Sequence, residues 1–492
     1  MRRLARLAAR TPPDRERYLD LLRALAIILV VLGHWAIAAV EYDESGRPDG
    51  HSALTALPWA YPLTWAVQVM PVFFLVGGYA NAASLAAHQR RGGDAIGWLL
   101  GRSARLLRPT SALVLVLAGG ALVARLGGAQ PDEVRPVVWF ATIPLWFLAA
   151  YLAVVPLTPV MYALHRRLGL LVPLVLVLLV AAGDLGRALG PAGLALPAYL
   201  LGWLAVHQLG FAWYDARQGR CRPAGRDTAP DQAPTTTGGR GNGDGGSQQP
   251  RPDDTGPAGG PTGLRTRCLP MSRRSAIAML LGGLVVAVLL TGPGPYPISM
   301  INLPGQRLAN AAPPSVALLA VATAQLGLIL LLRARVERWL HRDRPWQAVI
   351  AVNSVVLTVF LWHLSAAVLL VGALHGLGLL PTPPAGTAAW LAWRLPWVLM
   401  LAVVLAVLVA IFGPIEASTG RPRHLRASAR WAGARAALTV GAFAAVVYAL
   451  AANGATAKTA PEPLGWPVAA LVAYLAGAGT LRLLRSGWGS RG

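Results

Sequence analysis

Long apolar runs recur along the whole chain and are separated by shorter polar segments. Crossing the hydrocarbon core takes about twenty apolar residues, and lipid offers backbone groups no hydrogen bonds, so each run predicts a transmembrane helix. The pattern therefore predicts an all-α polytopic membrane protein with about twelve transmembrane helices. These lie near residues 19–40, 61–83, 110–127, 140–163, 168–188, 192–214, 274–292, 313–333, 347–372, 389–412, 432–453 and 465–483.

The polar segments alternate between basic-rich and basic-poor along the chain. Because Lys and Arg near helix ends are retained on the cytoplasmic side, this alternation predicts that the N- and C-termini are both cytoplasmic. The predicted cytoplasmic segments between helices are 89–108, 165–167, 217–274, 333–344 and 421–430. The predicted external segments are 41–50, 127–136, the region around Asp184, 292–305, 376–386 and 453–463.

Composition agrees with a lipid environment, since 55% of the residues are hydrophobic, 13% are charged and the mean hydropathy is +0.50. The formal net charge of +23 would suggest nucleic-acid binding in a soluble protein. Here the basic residues lie in the loops, so no nucleic-acid partner is expected and a multi-pass protein of the cell (plasma) membrane is predicted. Cys221 and Cys268 show no metal-ligand spacing, so they are expected to be free thiols, and no metal site is predicted.

A polar, Gly- and Pro-rich stretch, residues 216–272, is too poor in apolar residues to bury a core and is predicted to be a disordered cytoplasmic linker. It divides six predicted helices from six. The predicted organisation is residues 1–215 with the first six helices, the linker 216–272, residues 273–412 with helices seven to ten, and residues 413–492 with two additional helices and a basic tail.

The first helix carries ionisable residues, which are costly inside a membrane and therefore indicate function. Arg23 and His34 are eleven residues apart, close to three helical turns, so they share a face about 16 Å apart along the axis. Asp20, three residues before Arg23, is placed to pair with it. An interfacial Asp–Arg pair and a packing histidine are the structural alternatives. As a functional group, His34 is a candidate general base.

After the second helix, Arg102, Arg105 and Arg108 follow one another at three-residue spacing, with Pro109 closing the run. Three guanidinium groups along one broad side of a short helix suit bidentate binding of phosphates at the cytoplasmic surface. The alternative is ordinary positive charge that fixes topology.

These residues resemble the membrane acyltransferase-3 family from about Arg17 to Phe412. Its hallmark of an arginine, ten residues and a histidine is matched by Arg23 and His34. Further matching segments follow in order: Phe73, Phe74, Gly77, Gly78 and Tyr79 in the second helix, Arg105 and Arg108, Leu145–Leu148, and His363 in the late segment FLWHL. The chain departs from the family in its Gly-Gly-Tyr, its long linker and its two additional helices.

The resemblance implies transfer of an acyl group from cytoplasmic acyl-CoA to a hydroxyl or amine of a glycan, lipid or small molecule. His34 and Arg23 would be catalytic, Arg102, Arg105 and Arg108 would bind the donor, and Asp20 and His363 would be accessory. Acyl-CoA, expected to be acetyl-CoA, would be a donor substrate, with no permanently bound cofactor. His207 and Asn353 are interpreted as structural. The alternative function is a secondary transporter or exporter that uses the intramembrane His and Arg for proton or anion coupling.

Overall fold

The computed structural model describes residues 8, 11, 12, 15–190, 195–219, 268–418 and 431–486. Within these ranges, eleven helical segments are long and apolar enough to cross a bilayer, and each overlaps a predicted span. The remaining predicted span, 192–214, corresponds to the helix Ala195–Arg217. The prediction of an all-α polytopic membrane protein is therefore confirmed.

Fifteen helices are described. In chain order they are α1 (Arg17–Ile37), α2 (Thr64–Val67), α3 (Met70–Arg90), α4 (Ala95–Leu126), α5 (Pro131–Thr142), α6 (Leu145–Leu168), α7 (Leu171–Leu189), α8 (Ala195–Arg217), α9 (Arg273–Thr291), α10 (Val316–Leu340), α11 (Asp343–Asn353), α12 (Val356–Gly376), α13 (Ala388–Ala417), α14 (Ala432–Ala455) and α15 (Val468–Arg485). An antiparallel hairpin of β1 (Ala38–Tyr42) and β2 (Pro48–Ser52) follows α1, and two short 3-10 turns, Ala53–Ala56 and Pro58–Ala60, precede α2.

Helix α13 shows how the sequence divides between lipid and core. One face repeats every four residues and exposes large apolar side chains, as lipid contact requires. The opposite face is buried against the bundle. The exposed residues are Leu395, Leu399, Val403, Val407 and Ile411, and the buried ones are Trp390, Trp397, Leu401, Leu405 and Leu408.

Segments predicted to share a side of the membrane contact one another. At the predicted cytoplasmic end, Glu16 accepts hydrogen bonds from Arg333 Nε at 2.7 Å and Arg217 Nε at 3.2 Å. At the predicted external end, Arg47 of the hairpin lies 3.3 Å from the Asp132 carboxylate of the next external loop. Two sets of loops at opposite ends agree with the predicted alternation, and which end faces the cytoplasm stays a prediction.

The β-hairpin was not predicted, because the segment 41–50 was interpreted only as an external loop. Its turn is stabilised by Asp43 Oδ1, which accepts hydrogen bonds from the backbone N–H groups of Ser45 and Arg47, both at 2.9 Å. The Ser45 hydroxyl and the Arg47 N–H hold the pKa of Asp43 below its ordinary value. Gly46 supplies the positive φ of +75° that the turn requires.

Two predicted boundaries are wrong. The third span begins at Ala95 rather than near residue 110, so Pro109 lies inside α4 and does not close the arginine run. The Thr110 hydroxyl donates to Leu106 O at 2.7 Å, which adds a hydrogen bond where proline removes one. The predicted span 347–372 is divided into α11 and α12, because Asn353 Nδ2 donates to Asp20 O at 2.8 Å where the first of these helices ends.

The expectation of free thiols is wrong for Cys268, which is disulfide-bonded. Cys221 lies outside the described residues. Most of the predicted disordered linker, residues 220–267, also lies outside them, as does the whole basic segment 421–430.

The two additional C-terminal helices, α14 and α15, pack against α4, α5 and α6. Arg135 of α5 is fully buried and donates to carbonyl oxygens of the connection between them, including Thr456 O at 2.7 Å and Gly465 O at 2.9 Å. Its Nη1 also donates to Asn453 Oδ1 at 2.9 Å. A buried guanidinium satisfied by so many acceptors attaches these helices to the rest of the bundle.

Candidate active site

Two histidines from distant parts of the chain meet inside the helix bundle. His34 Nδ1 of α1 lies 2.8 Å from His363 Nε2 of α12. The rings are nearly parallel, with an interplanar angle of 22° and centroids 5.0 Å apart. His363 is fully buried, whereas His34 is half-buried. His34 is therefore the accessible member of the pair, and His363 lies behind it.

The hydrogen bonds of His363 fix the tautomers of both rings. His363 Nδ1 lies 2.6 Å from the Phe360 carbonyl oxygen, which only accepts, so this nitrogen carries the proton. In the neutral ring Nε2 then holds a lone pair, and His34 Nδ1 must be the donor to it. Neutral His34 consequently has its own lone pair on Nε2. No partner for this nitrogen occurs among the residues that the structure describes.

An aromatic cluster holds His363 in place. Phe360, one helical turn earlier, lies 5.5 Å from Phe147 of α6, measured between ring centroids. Phe147 in turn lies 5.2 Å from Phe73 and 5.6 Å from Phe74 of α3. Three segments that sequence analysis singled out separately therefore converge beside the histidine pair. Such packing restricts ring orientation, as a positioned proton acceptor requires.

Trp35 adds a direct link between the two histidine-bearing helices. Its indole N–H donates to the His363 carbonyl oxygen at 3.0 Å, and its side chain is buried. Because Trp35 follows His34 in the sequence, this bond fixes the register of α1 against α12 at the level of the histidine pair. The distance between His34 Nδ1 and His363 Nε2 therefore depends on this contact between the helices as well as on the rings themselves.

Asp20 and Arg23 form the predicted pair, with Arg23 Nη1 3.4 Å from Asp20 Oδ1. Asp20 is buried and its other oxygen accepts from Arg15 Nε at 2.7 Å, which raises the pKa of Arg15. Arg23 lies on the same helix face as His34 but about 16 Å nearer the helix N-terminus. It is half-buried, so its guanidinium stays accessible near that end.

Arg102 points into the bundle rather than toward a surface. Its Nε donates to Asn81 Oδ1 at 3.0 Å, and Nη2 of the same guanidinium contacts the same oxygen. Asn81 Nδ2 lies 3.1 Å from His207 Nε2, and both of these residues are fully buried. Arg102 and Arg105 lie three residues apart in the same helix, so their guanidinium groups leave it in different directions.

A close approach of α3 and α8 makes this arrangement possible. A Cβ atom on Gly78 would lie 2.1 Å from His207 O, and one on Gly210 would lie 2.2 Å from Leu75 O. Glycine is therefore required on both helices where they cross. The signal for this contact is present in the sequence as Gly78, but its partner in the chain is not evident from spacing.

The other two arginines diverge from Arg102. Arg105 is exposed, and no hydrogen bond to its side chain occurs among the described residues. Arg108 Nη1 donates to the carbonyl oxygen of Ser418, at the C-terminal end of α13, at 3.1 Å. The regular spacing thus places three guanidinium groups in three environments, and only Arg105 is fully presented to solvent.

Comparison with known proteins gives one match. The model of the acyltransferase-3 family, described as an acyltransferase domain, matches residues 16–413. The chain belongs to the acyltransferase-3 family. This acyltransferase is a membrane protein, and the matched range agrees closely with the resemblance predicted from Arg17 to Phe412. No curated protein and no solved structure matches it.

Most of the candidate residues of this acyltransferase were predicted from the sequence, but of their contacts only the Asp20–Arg23 pair was. Asn81 was not identified, and His207 was given a structural role without a partner. Asn81 could have been identified because it is a polar residue inside the apolar second span. The pairing of His34 with His363 had no sequence signal, because 329 positions separate the two residues.

Proposed function

We propose that this protein transfers an acyl group from cytoplasmic acyl-CoA to a hydroxyl or amine of a glycan, lipid or small-molecule acceptor, with His34 as general base. Acetyl-CoA is the donor that we would test first, and the plasma membrane is the proposed location. The observation that carries the proposal is the histidine pair. His34 Nδ1 is engaged by His363, which leaves the lone pair of Nε2 directed away from that contact.

On the donor side, the accessible guanidinium groups of Arg105 and Arg23 are suited to the phosphates of CoA. Arg102 contributes charge to the same region, although its donors are largely engaged by Asn81. The distance of about 16 Å between the levels of Arg23 and His34 calls for an extended ligand. The pantetheine arm of acyl-CoA is such a chain, with the phosphates at one end and the thioester at the other.

In the chemical step, His34 Nε2 removes the proton from the acceptor hydroxyl as its oxygen attacks the thioester carbonyl carbon. The carbon–sulfur bond then breaks, the acyl group stays on the acceptor oxygen, and the proton passes from His34 to the CoA sulfur. His363 keeps the other His34 nitrogen protonated through its lone pair, so that the basic nitrogen faces the acceptor. Asp20 orients Arg23 through their ion pair.

The test uses purified protein in nanodiscs with acetyl-CoA labelled in the acetyl group. We expect time-dependent release of free CoA thiol and transfer of label to an acceptor extracted from the host membrane or cell surface. A protein with the His34→Ala change serves as the control. Coupled movement of protons or anions in sealed vesicles without thiol release would instead support the transporter function.

A further inference from the structure

Arg394 of α13 is an arginine within a membrane-spanning helix that none of the proposed steps uses. Its Nη1 donates to Ala38 O at 2.6 Å and its Nε donates to Trp390 O at 3.2 Å. No carboxylate among the described residues forms an ion pair with it. Its side chain is half-buried, so a desolvated positive charge remains without a counter-ion at this position. Such a charge indicates function rather than topology.

Two buried tryptophans pack beside this guanidinium. Its carbon atom Cζ lies 4.2 Å from the ring centroid of Trp390 and 5.9 Å from that of Trp397. Both indoles are 3% exposed, and their N–H groups have no hydrogen-bond partner among the described residues. Nη2 of Arg394 also has no partner within those residues. The positive charge of Arg394 and its unused Nη2 donors are the complement of a ligand with negatively charged oxygens.

The group lies close to the histidine pair on its external side. Ala38, whose carbonyl holds Arg394, comes four residues after His34, or about 6 Å farther along the α1 axis. Trp390 packs under the external hairpin with Ala39, Ala53 and Leu57. Arg394 thus lies between His34 and the predicted external loops, on the side opposite to the cytoplasmic arginines.

The ion pairs of the acidic residues in those loops involve partners other than Arg394. Asp49 pairs with Lys458, Asp132 and Glu133 lie against Arg47, and Glu41 lies 3.5 Å from His51 Nε2. Because these carboxylates lie against other side chains, the Arg394 charge stays available to a ligand.

We propose that Arg394, with Trp390 and Trp397, forms an acceptor-binding subsite for a molecule that carries a carboxylate or phosphate near its acyl-accepting hydroxyl. This assignment rests on the proposed acyl transfer and adds the chemical class of the acceptor. The guanidinium binds the charged oxygens of the acceptor, and the neighbouring hydroxyl then lies toward His34. The remaining Arg394 hydrogen bond to Ala38 O keeps the subsite in register with the end of α1.

The experiment measures ligand binding to the full-length protein without acyl-CoA. Thermal unfolding of purified protein is followed with methyl glucuronide, glucose 6-phosphate or the neutral methyl glucoside at matched concentrations, since a ligand that binds the folded state raises the unfolding temperature. The variants are Arg394→Gln and Arg394→Lys. Arg307→Gln is the matched control, because Arg307 is an exposed arginine just after the predicted external segment 292–305. Its Nε donates to Arg187 O at 3.1 Å.

We expect wild-type protein and the Arg307→Gln control to be stabilised by at least one anionic ligand and much less by the glucoside. Arg394→Gln should weaken anion binding about 10- to 100-fold, as expected for loss of a charged hydrogen bond, and Arg394→Lys should retain part of the preference. Which anion binds separates a carboxylate acceptor from a phosphate acceptor. Equal stabilisation by all three ligands, or an anion preference that survives in Arg394→Gln, would overturn the proposal.

The measurements distinguish a failure of the proposed acyl transfer from a failure of the proposed anion subsite. If the anion preference depends on Arg394 but no CoA thiol is released from acetyl-CoA, the site binds anions and the acyl transfer is wrong. If thiol is released in a His34-dependent manner without any anion preference, the transfer stands and the subsite is overturned.

Discussion

The histidine pair and the three arginines Arg102, Arg105 and Arg108 differ in how their spacing in sequence relates to their places in the fold. His34 and His363 are far apart in sequence, yet their ring nitrogens lie 2.8 Å apart inside the bundle. Arg102, Arg105 and Arg108 are neighbours in sequence, yet they engage Asn81, solvent and Ser418 respectively. The two histidines, which are far apart in sequence, therefore form one compact site. The three arginines, which are neighbours in sequence, have three separate environments.

The physical reason lies in helix geometry. Residues three apart on a helix point in directions that differ by about 60° around its axis. Three such residues therefore span an arc of about 120° and meet different neighbours. A pair on two packed helices is instead fixed by the packing of both. Substitutions in the two regions should consequently affect different kinetic quantities.

The largest effect is expected at His34. His34→Ala removes the proposed base, so acyl transfer should fall by about two to four orders of magnitude while the protein stays folded. The rate of CoA release and the unfolding temperature are measured on the same preparation. His375→Ala is the control, because His375 is an exposed histidine of the same helix as His363. A stability loss of about 1–3 kcal/mol with normal activity of the folded fraction would make His34 a packing residue.

A smaller effect is expected at His363, which acts on His34 rather than on substrate. His363→Leu removes the acceptor for His34 Nδ1–H and should lower kcat about 10- to 100-fold with little change in the KM for acyl-CoA. His363→Gln should recover part of this loss, because an amide oxygen can accept the same proton. Equal activity of the Leu and Gln variants would show that His363 does not act through the tautomer of His34.

At the predicted cytoplasmic end, replacing Arg105 and Arg108 together by Ala should raise the KM for acyl-CoA about tenfold or more and change kcat little, because the proposed phosphate-binding donors are lost before chemistry begins. Arg338→Ala, another exposed arginine in a predicted cytoplasmic segment, is the control. An unchanged KM would mean that both arginines serve only to fix the topology.

Arg102→Ala should mainly lower stability, since it leaves the buried Asn81 oxygen without its donor.

The smallest effect is expected for the linker. Deleting residues 226–264 should leave insertion, the KM for acyl-CoA and kcat close to their original values, because this composition offers too little apolar surface to order the segment. Steady-state kinetics and membrane yield of the deletion protein check this. A raised KM with normal kcat would mean that the segment contributes to the donor side and that the arginines do not act alone.

The sequence by itself determined that the chain lies in a membrane, which segments are helical and to which family it belongs. Spans such as α13 follow from hydropathy because lipid forces every long apolar run to satisfy its own backbone hydrogen bonds. The arginine and histidine of α1 were found from spacing alone, since residues on one helix share a face by local geometry. The proline within α4 and the division between α11 and α12 were missed. At these places Thr110 and Asn353 form side-chain hydrogen bonds to backbone carbonyl oxygens, which hydropathy does not reveal.

Only the tertiary structure decided which groups meet. The contact of His34 with His363, the bond of Arg102 to Asn81, and the placement of Arg394 against Ala38 each join residues on different helices. Periodicity along one helix carries no information about the rotation or depth of its neighbour, which is set by close packing at points such as Gly78 and Gly210. Hydropathy therefore specifies which segments enter the membrane, and packing specifies which nitrogen of His34 contacts His363 and which has no partner among the described residues.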